Sequence, residues 1–99
     1  MLLGIDIGTS KTAAVIVDGD KLLASASRVH LAERDSAPGH MEQGVKGLLR
    51  SAYQAVQDLP SELRQGVRAI GVTGQMHGVT VLDAAGESLT PLVTWQDER

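Results

Sequence analysis

The sequence contains no cysteine and no phenylalanine, and it has only one tryptophan and one tyrosine among 99 residues. Without cysteine, disulfide bonds and thiolate metal ligands are excluded. With so few aromatic residues, any core must be built from aliphatic side chains and alanine. The composition, 42% hydrophobic and 21% charged, is that of a globular chain whose length suits at most one small domain.

Clusters of basic residues and long apolar runs are also missing. The net charge of −3 argues against general nucleic-acid binding, because nucleic-acid binders present a basic surface to the phosphate backbone. A membrane-spanning helix needs roughly 18 apolar residues, and no stretch approaches that length. Asp6 breaks the first apolar run, so no signal peptide is predicted. These absences predict a cytoplasmic protein without nucleic-acid or membrane partners.

Two apolar runs at the start of the chain flank a polar turn. Residues 2–7 and 13–17 are rich in branched side chains, which predicts two strands. Asp6 interrupts the first run just before the turn. A carboxylate among apolar residues is costly unless it is paired or holds a cation.

The turn itself has the donors of a phosphate site. Gly8 allows the backbone to turn sharply and to approach a ligand. The hydroxyl-bearing residues are Thr9, Ser10 and Thr12. Lys11 adds positive charge, and Asp6 would orient hydrated Mg²⁺ beside the bound phosphate. The alternative is a plain β-hairpin whose polar residues serve only the turn, and the turn alone leaves both interpretations open.

The pattern after this turn predicts a strand, a loop and a helix. Gly19-Asp20 is a hairpin turn that leads into a third strand, Lys21–Val29. Residues 30–41 indicate a loop. A helical stripe begins at about Glu42 and stops at Pro60, which ends the helix or begins a short extra turn. The members of the stripe are Val45, Leu48, Leu49, Ala52, Val56 and Leu59.

The last third of the chain predicts more strands. Residues 67–73 form one strand, and residues 79–82 and 89–95 form a hairpin. A helix between strands implies a parallel crossover, so the fold class is α/β with a mixed sheet. The order is β-β-β-α-β followed by a β-hairpin. Because one helix covers only one face of such a sheet, we expect either the opening part of a larger protein or a protomer that covers its sheet by association.

A second polar cluster, residues 74–78, follows the strand after the helix. Ligands collect beyond the carboxyl ends of parallel strands, where this cluster lies. Gln75 and His77 can hydrogen-bond sugar hydroxyls, and Met76 supplies an adaptable apolar wall. The alternative for His77 is an ordinary turn histidine. The spacing of the three histidines does not predict a metal site.

Two further polar clusters stand at residues 40–43 and 94–99. Glu42 would be stabilised by the dipole at the start of the predicted helix, which is a sufficient structural reason for it. Trp95 either lines a sugar-binding site or fills the core. Asp97 is either a polar site residue or part of a solvated end.

In chain order, the four polar clusters are the turn after the first strand and residues 40–43, 74–78 and 94–99. Together they resemble the N-terminus of the FGGY carbohydrate kinases, which share a superfamily with actin and Hsp70-type ATPases. GIDIGTSKTAAVIVD at residues 4–18 is similar to the family's first phosphate motif, and HMEQ at residues 40–43 to its H-x-E-Q segment. GQMHG at residues 74–78 is similar to xylulokinases and sedoheptulokinases. LVTWQDER at residues 92–99 resembles the sedoheptulokinase form. The tryptophans common in the helix after H-x-E-Q are missing here.

The resemblance implies the N-terminal part of an actin-like (ribonuclease H-like) lobe, with ATP and Mg²⁺ as cofactors. Asp6 would handle the Mg²⁺–nucleotide, and Gly8, Thr9 and Ser10 would meet the ATP phosphates. The implied sugar-binding residues are Gln75, Met76, His77, Trp95 and, more weakly, Asp97. Family members use two lobes and a catalytic aspartate far downstream, so residues 1–99 are expected to be a partial first lobe that lacks both the base and the adenine pocket.

The function expected from the resemblance is ATP-dependent phosphorylation of a ketose of the xylulose or sedoheptulose type by the intact protein. The isolated 99-residue chain is expected to be inactive. One alternative is a non-catalytic fragment that associates with itself, so a homo-oligomer is possible. The other is an actin- or Hsp70-type ATPase or a sugar-sensing regulator.

Overall fold

The computed structural model describes residues 1–29, 42–75 and 80–93. Within these ranges the chain forms six strands and two helices. The elements in chain order are β1 (Leu2–Ile7), β2 (Lys11–Asp18), β3 (Lys21–Val29), β4 (Glu42–Gln43), α1 (Val45–Gln57), α2 (Ser61–Gln65), β5 (Ala69–Gly74) and β6 (Leu92–Val93).

The main sheet has the strand order β3-β2-β1-β5. Strand β2 is antiparallel to both β1 and β3, and β5 is parallel to β1. A bulge between Ile16 and Val17 shifts the β2–β3 register. The predicted three-stranded meander, the parallel crossover and the mixed α/β class are therefore confirmed.

The core lies between one face of this sheet and α1. Alternation along the strands points Leu3, Ala14 and Ile16 toward the helix, where they are buried against Ala55 and Leu59. Alanine at the centre of β2 and at the contact face of α1 lets the helix approach closely, which suits a chain without phenylalanine. The core is small and aliphatic, as the composition predicts.

Helix α1 starts later than predicted. It begins at Val45 with Gly44 as its N-cap, and its first turn contains no acidic residue. Glu42 instead lies in β4, where it pairs with Val93 of β6. The predicted interaction of Glu42 with the helix dipole is therefore wrong, because the dipole effect falls off beyond the first turn.

The buried face of α1 also differs from the predicted stripe. Leu48, Ser51 and Ala55 are buried, whereas Leu49 is 59% exposed. The helix packs mainly on β2 and β3, and this orientation turns Leu49 outward. After Pro60 the short helix α2 follows, which confirms the predicted extra turn.

An ion pair fixes the end of α1 to the edge of the sheet. Arg28 on β3 donates from Nε and Nη2 to the two carboxylate oxygens of Asp58, at 2.6 and 2.8 Å. The hydrogen bond from Arg28 lowers the pKa of the Asp58 carboxyl below its ordinary value. Because both side chains remain well exposed, the pair is open to screening by salt.

The segment after β5 is a hairpin with little strand character. Leu82 and Ser88 form one antiparallel bridge, and Gly86 turns the chain with a φ of +84°. Residues 92–93 pair with β4 rather than with residues 80–82. The predicted hairpin is thus present in outline, and the predicted strand ends at residues 79 and 94–95 lie outside the described ranges.

The second face of the sheet carries an open groove. It has a volume of about 460 Å³ and is lined by residues of β1, β2 and β5, among them Gly4, Asp6, Ala13, Gly71 and Thr73. In the described parts of the chain, neither helix is long and apolar enough to cross a membrane.

Candidate functional site

The turn between β1 and β2 is tight and depends on glycine. The Gly8 N–H donates to the Lys11 carbonyl at 2.9 Å, which places Thr9 and Ser10 at the tip. A Cβ on residue 8 would lie 2.9 Å from that same carbonyl oxygen. Only glycine fits this turn without a backbone shift, so the local reason for Gly8 is the closure of the hairpin.

The parallel pairing of β1 and β5 brings two of the predicted clusters together. The Gln75 N–H donates to the Ile7 carbonyl at 3.1 Å. The Thr9 hydroxyl donates to Gln75 Oε1 at 3.5 Å, the outer limit of a hydrogen bond. The polar turn and the start of the 74–78 cluster are therefore neighbours at the carboxyl edge of the sheet.

Asp6 lies on the open face, one residue before that edge. Its neighbours in register are Ala13 on β2 and Thr73 on β5, and its side chain is exposed. The predicted burial cost of this carboxylate does not arise, since alternation along β1 turns it away from the core. Within the described ranges no ion pair engages Asp6, which leaves the carboxylate available to a ligand.

Thr12 occupies a different environment from the rest of the turn. It points to the helix-covered face and is fully buried, and its hydroxyl has no hydrogen-bond partner among the described residues. Its hydroxyl is therefore out of reach of solvent, and a binding role for Thr12 stays a prediction. Ser10 and Lys11, by contrast, are exposed.

A second cleft lies at the same edge on the helix side. Its volume is about 310 Å³, and it is bounded by Ile7, Leu48, Gly74, Gln75 and Leu92. It joins the end of β5 to the first turns of α1 and to β6. Gln75 thus lies beside both the phosphate-type turn and a partly apolar cleft, and its role in sugar binding stays a prediction.

Several predicted site residues fall outside the described residues. These are Met76, His77, Trp95 and Asp97. Their roles stay predictions. The reasoning from sequence also missed Thr73, which the structure brings beside Asp6. Alternation along β5 could have found it only if the parallel register with β1 had been known.

The donors at this edge fit a metal-bound phosphate better than a metal held by protein alone. In the described parts of the chain no group of three or more histidine, cysteine or acidic residues could hold a metal ion. The edge offers one carboxylate, two hydroxyls and backbone N–H groups. Mg²⁺ is usually held by one or two carboxylates together with waters and substrate phosphates, so Asp6 fits such an ion.

The comparisons with known proteins all indicate the same family. The sequence model of the N-terminal domain of the FGGY family of carbohydrate kinases matches residues 1–99. A sedoheptulokinase from Mus musculus is 34% identical, over 98% of this chain and 26% of its own length. A xylulose kinase from Escherichia coli is 32% identical, over 100% of this chain and 21% of its own length.

Solved structures agree with these sequences. The crystal structure of a xyloylose kinase from Brucella ovis superposes with a TM-score of 0.91 at 32% identity, covering 98% of this chain and 21% of that one. The chain therefore spans about a fifth to a quarter of the length of the relatives that it matches.

Proposed function

Because the chain belongs to the FGGY family of carbohydrate kinases, we propose that it supplies part of the nucleotide and sugar site of an ATP-dependent ketose kinase. Members of the family are phosphotransferases that act on sugars. The relatives named sedoheptulokinase and xylulose kinase favour a substrate of the xylulose or sedoheptulose type. The same membership favours a kinase over an actin-type ATPase or a regulator.

The observation that carries the proposal is the meeting of Thr9 and Gln75 at one edge of the sheet. In α/β sheets, ligands bind outside the carboxyl ends of the strands. The turn at Gly8 offers backbone N–H and hydroxyl donors to the phosphates, and Gln75 starts the segment assigned to the sugar. Phosphoryl transfer needs the two substrates side by side, and the meeting of the two segments at this edge supports such an arrangement.

Asp6 is the residue that would hold the magnesium ion, directly or through a bound water. When bound, the ion neutralises charge on the phosphates during transfer. The turn would orient the phosphate chain through the Thr9 and Ser10 donors, and the exposed Lys11 adds positive charge near it. Met76, His77, Trp95 and Asp97 are proposed to complete the sugar site. All of these groups bind and orient, so the 99-residue chain alone is expected to lack kinase activity.

Nucleotide binding by the intact protein tests the proposal directly. In a calorimetric titration of the intact protein with ATP and Mg²⁺, the wild type is expected to bind and Asp6→Asn to bind at least about tenfold more weakly, since a charged contact is lost. Asp20→Asn, in the β2–β3 turn at the opposite end of the sheet, is the matched control and should leave affinity unchanged. Equal affinity of Asp6→Asn and wild type would contradict the role of Asp6.

The sugar assignment needs a separate titration. Chemical-shift changes on addition of D-xylulose or D-sedoheptulose are expected at Gln75 and at its neighbours along the chain, with glycerol as the comparison ligand. A response to glycerol alone would count against a ketose substrate.

One observation supports a second behaviour, self-association of the chain. Among the described residues, strand β5 pairs with β1 alone, and all six of its residues are exposed, including Ile70 at 61% and Val72 at 65%. Charged residues and proline, which usually protect an edge strand, are absent from β5. Light scattering across a concentration series decides the point, because a monodisperse monomer would rule association out.

A further inference from the structure

We infer that Thr73 is a positioning residue, which orients the Asp6 carboxylate or the water of the cation held there. The inference rests on the proposed function, because it concerns the same nucleotide site. Thr73 directly precedes the 74–78 cluster and is not among the predicted site residues.

The register of the parallel pair places the two residues together. Thr73 on β5 is the direct neighbour of Asp6 on β1. Directly paired residues on neighbouring strands point to the same face, and the strands lie about 4.8 Å apart. Both residues line the same groove on the open face. A water or a hydrated ion at Asp6 therefore lies within reach of the Thr73 hydroxyl.

The surrounding positions leave this hydroxyl without competitors on its own strand. The other residues that β5 places on the open face are Ala69 and Gly71, neither of which has a polar side chain. Gly4 on β1 and Gly71 on β5 form the floor beside the pair and carry no side chain into the groove. Within the described ranges, no side-chain hydrogen bond engages Thr73 or Asp6.

The chemistry of threonine suits such a role. Its hydroxyl donates one hydrogen bond and accepts two, so it can donate to a carboxylate oxygen and accept from a metal-bound water. A β-branched side chain on a strand has restricted χ1 freedom, which holds the hydroxyl in one orientation at little further entropic cost. Mg²⁺ keeps several waters when it binds protein, and each such water needs an acceptor.

The test uses Mn²⁺ in place of Mg²⁺ because Mn²⁺ binding can be followed by electron paramagnetic resonance. The intact protein is titrated with Mn²⁺ and ATP, and water-proton relaxation reports the waters left on the bound ion. Thr73→Val removes the hydroxyl and keeps the shape, and Thr73→Ser keeps the hydroxyl. Ser25→Ala on β3, on the same face but two strands from Asp6, is the control. Thermal unfolding of each variant verifies the fold.

Thr73→Val is expected to weaken Mn²⁺–ATP binding by about tenfold, the effect of a lost hydrogen bond to a charged group. It should also change water-proton relaxation. Thr73→Ser should restore both readouts to near the wild-type values, and Ser25→Ala should change neither. If Thr73→Val does not fold, Thr73→Ala gives the same comparison without the β-branched methyl.

Two results overturn the inference in distinguishable ways. Loss of binding in Asp6→Asn with wild-type binding and relaxation in Thr73→Val leaves the proposed function intact and removes Thr73 from it. Wild-type Mn²⁺–ATP binding in Asp6→Asn, or absence of Mn²⁺–ATP binding by the unsubstituted protein, contradicts the nucleotide site itself, and the role of Thr73 then fails with it.

Discussion

The Thr9 hydroxyl lies 3.5 Å from Gln75 Oε1, and this contact joins the turn after β1 to the end of β5. The two residues are far apart in sequence and adjacent only because β1 and β5 are parallel. Both make further contacts, so a single substitution at either position does not isolate the pair.

A double-mutant cycle with Thr9→Val and Gln75→Ala measures this contact. Because the distance is at the outer limit for a hydrogen bond, we expect a coupling free energy of about 0.5 kcal/mol in urea unfolding. A coupling above about 1.5 kcal/mol would show that the contact is shorter in solution.

Gly8→Ala is expected to destabilise the chain because the new Cβ would lie 2.9 Å from the Lys11 carbonyl oxygen. A clash that shifts backbone costs about 1–3 kcal/mol. Gly71→Ala is the matched control, since no atom lies within 4 Å of its added Cβ. It should stabilise the strand by about 0.5–1 kcal/mol. Urea unfolding of both variants measures the two changes in the free energy of unfolding. A change of the same sign in both variants would contradict the described turn.

Thr12→Val is expected to raise the free energy of unfolding by about 1 kcal/mol, because it removes a buried hydroxyl that has no partner in the described parts of the chain. Thr12→Ser keeps the hydroxyl and loses a buried methyl group, so it should lower stability by about 1 kcal/mol. Chemical denaturation gives both values. Weaker ATP binding by Thr12→Val, without a loss of stability, would instead support Thr12 as a ligand.

The Arg28–Asp58 pair predicts a pH-dependent contribution to stability. The hydrogen bond from Arg28 lowers the pKa of Asp58 in the folded chain. The contribution is therefore fully present above the ordinary carboxyl pKa of about 3.9, and it is lost as the pH falls through the lowered value. The difference in urea midpoint between wild type and Asp58→Asn should be constant near neutral pH and shrink in acid.

The same difference should shrink in high salt, because both side chains of the pair are well exposed. Asp20→Asn, in an exposed turn, is the control and should show no such dependence. A difference between wild type and Asp58→Asn that persists at low pH would show that the pair contributes by some means other than charge.

Local patterns in the sequence predict the local elements well. The alternation around Gly8 and the turn at Gly19 predict the hairpins, and Pro60 predicts the break between α1 and α2. Helix α1 starts later than its local pattern predicts because Glu42 pairs with Val93, and nothing in the local pattern of either residue indicates this partner. Leu49 fits the predicted helical period as well as the buried Leu48 does, yet the position of α1 over β2 and β3 exposes it.

In the candidate site, too, contacts between residues close in sequence can be predicted, whereas contacts between distant strands cannot. Gly8 and Thr9 could be assigned from their own turn, since its closure depends on residues next to one another. The proximity of Asp6 to Thr73 depends on a register between strands distant in sequence. A shift of one residue would turn Thr73 to the other face, and the sequence carries no signal that fixes this register.

The parallel pairing of β1 with β5 also has a kinetic consequence. The hairpins β1–β2 and β2–β3 close over short loops, whereas β5 pairs with β1 across the intervening strands and helices. Contacts between distant parts of a chain form slowly because the entropy of loop closure opposes them. We therefore expect the Gly8 turn to acquire its shape early in folding, and Gln75 and Thr73 to reach it in the last step.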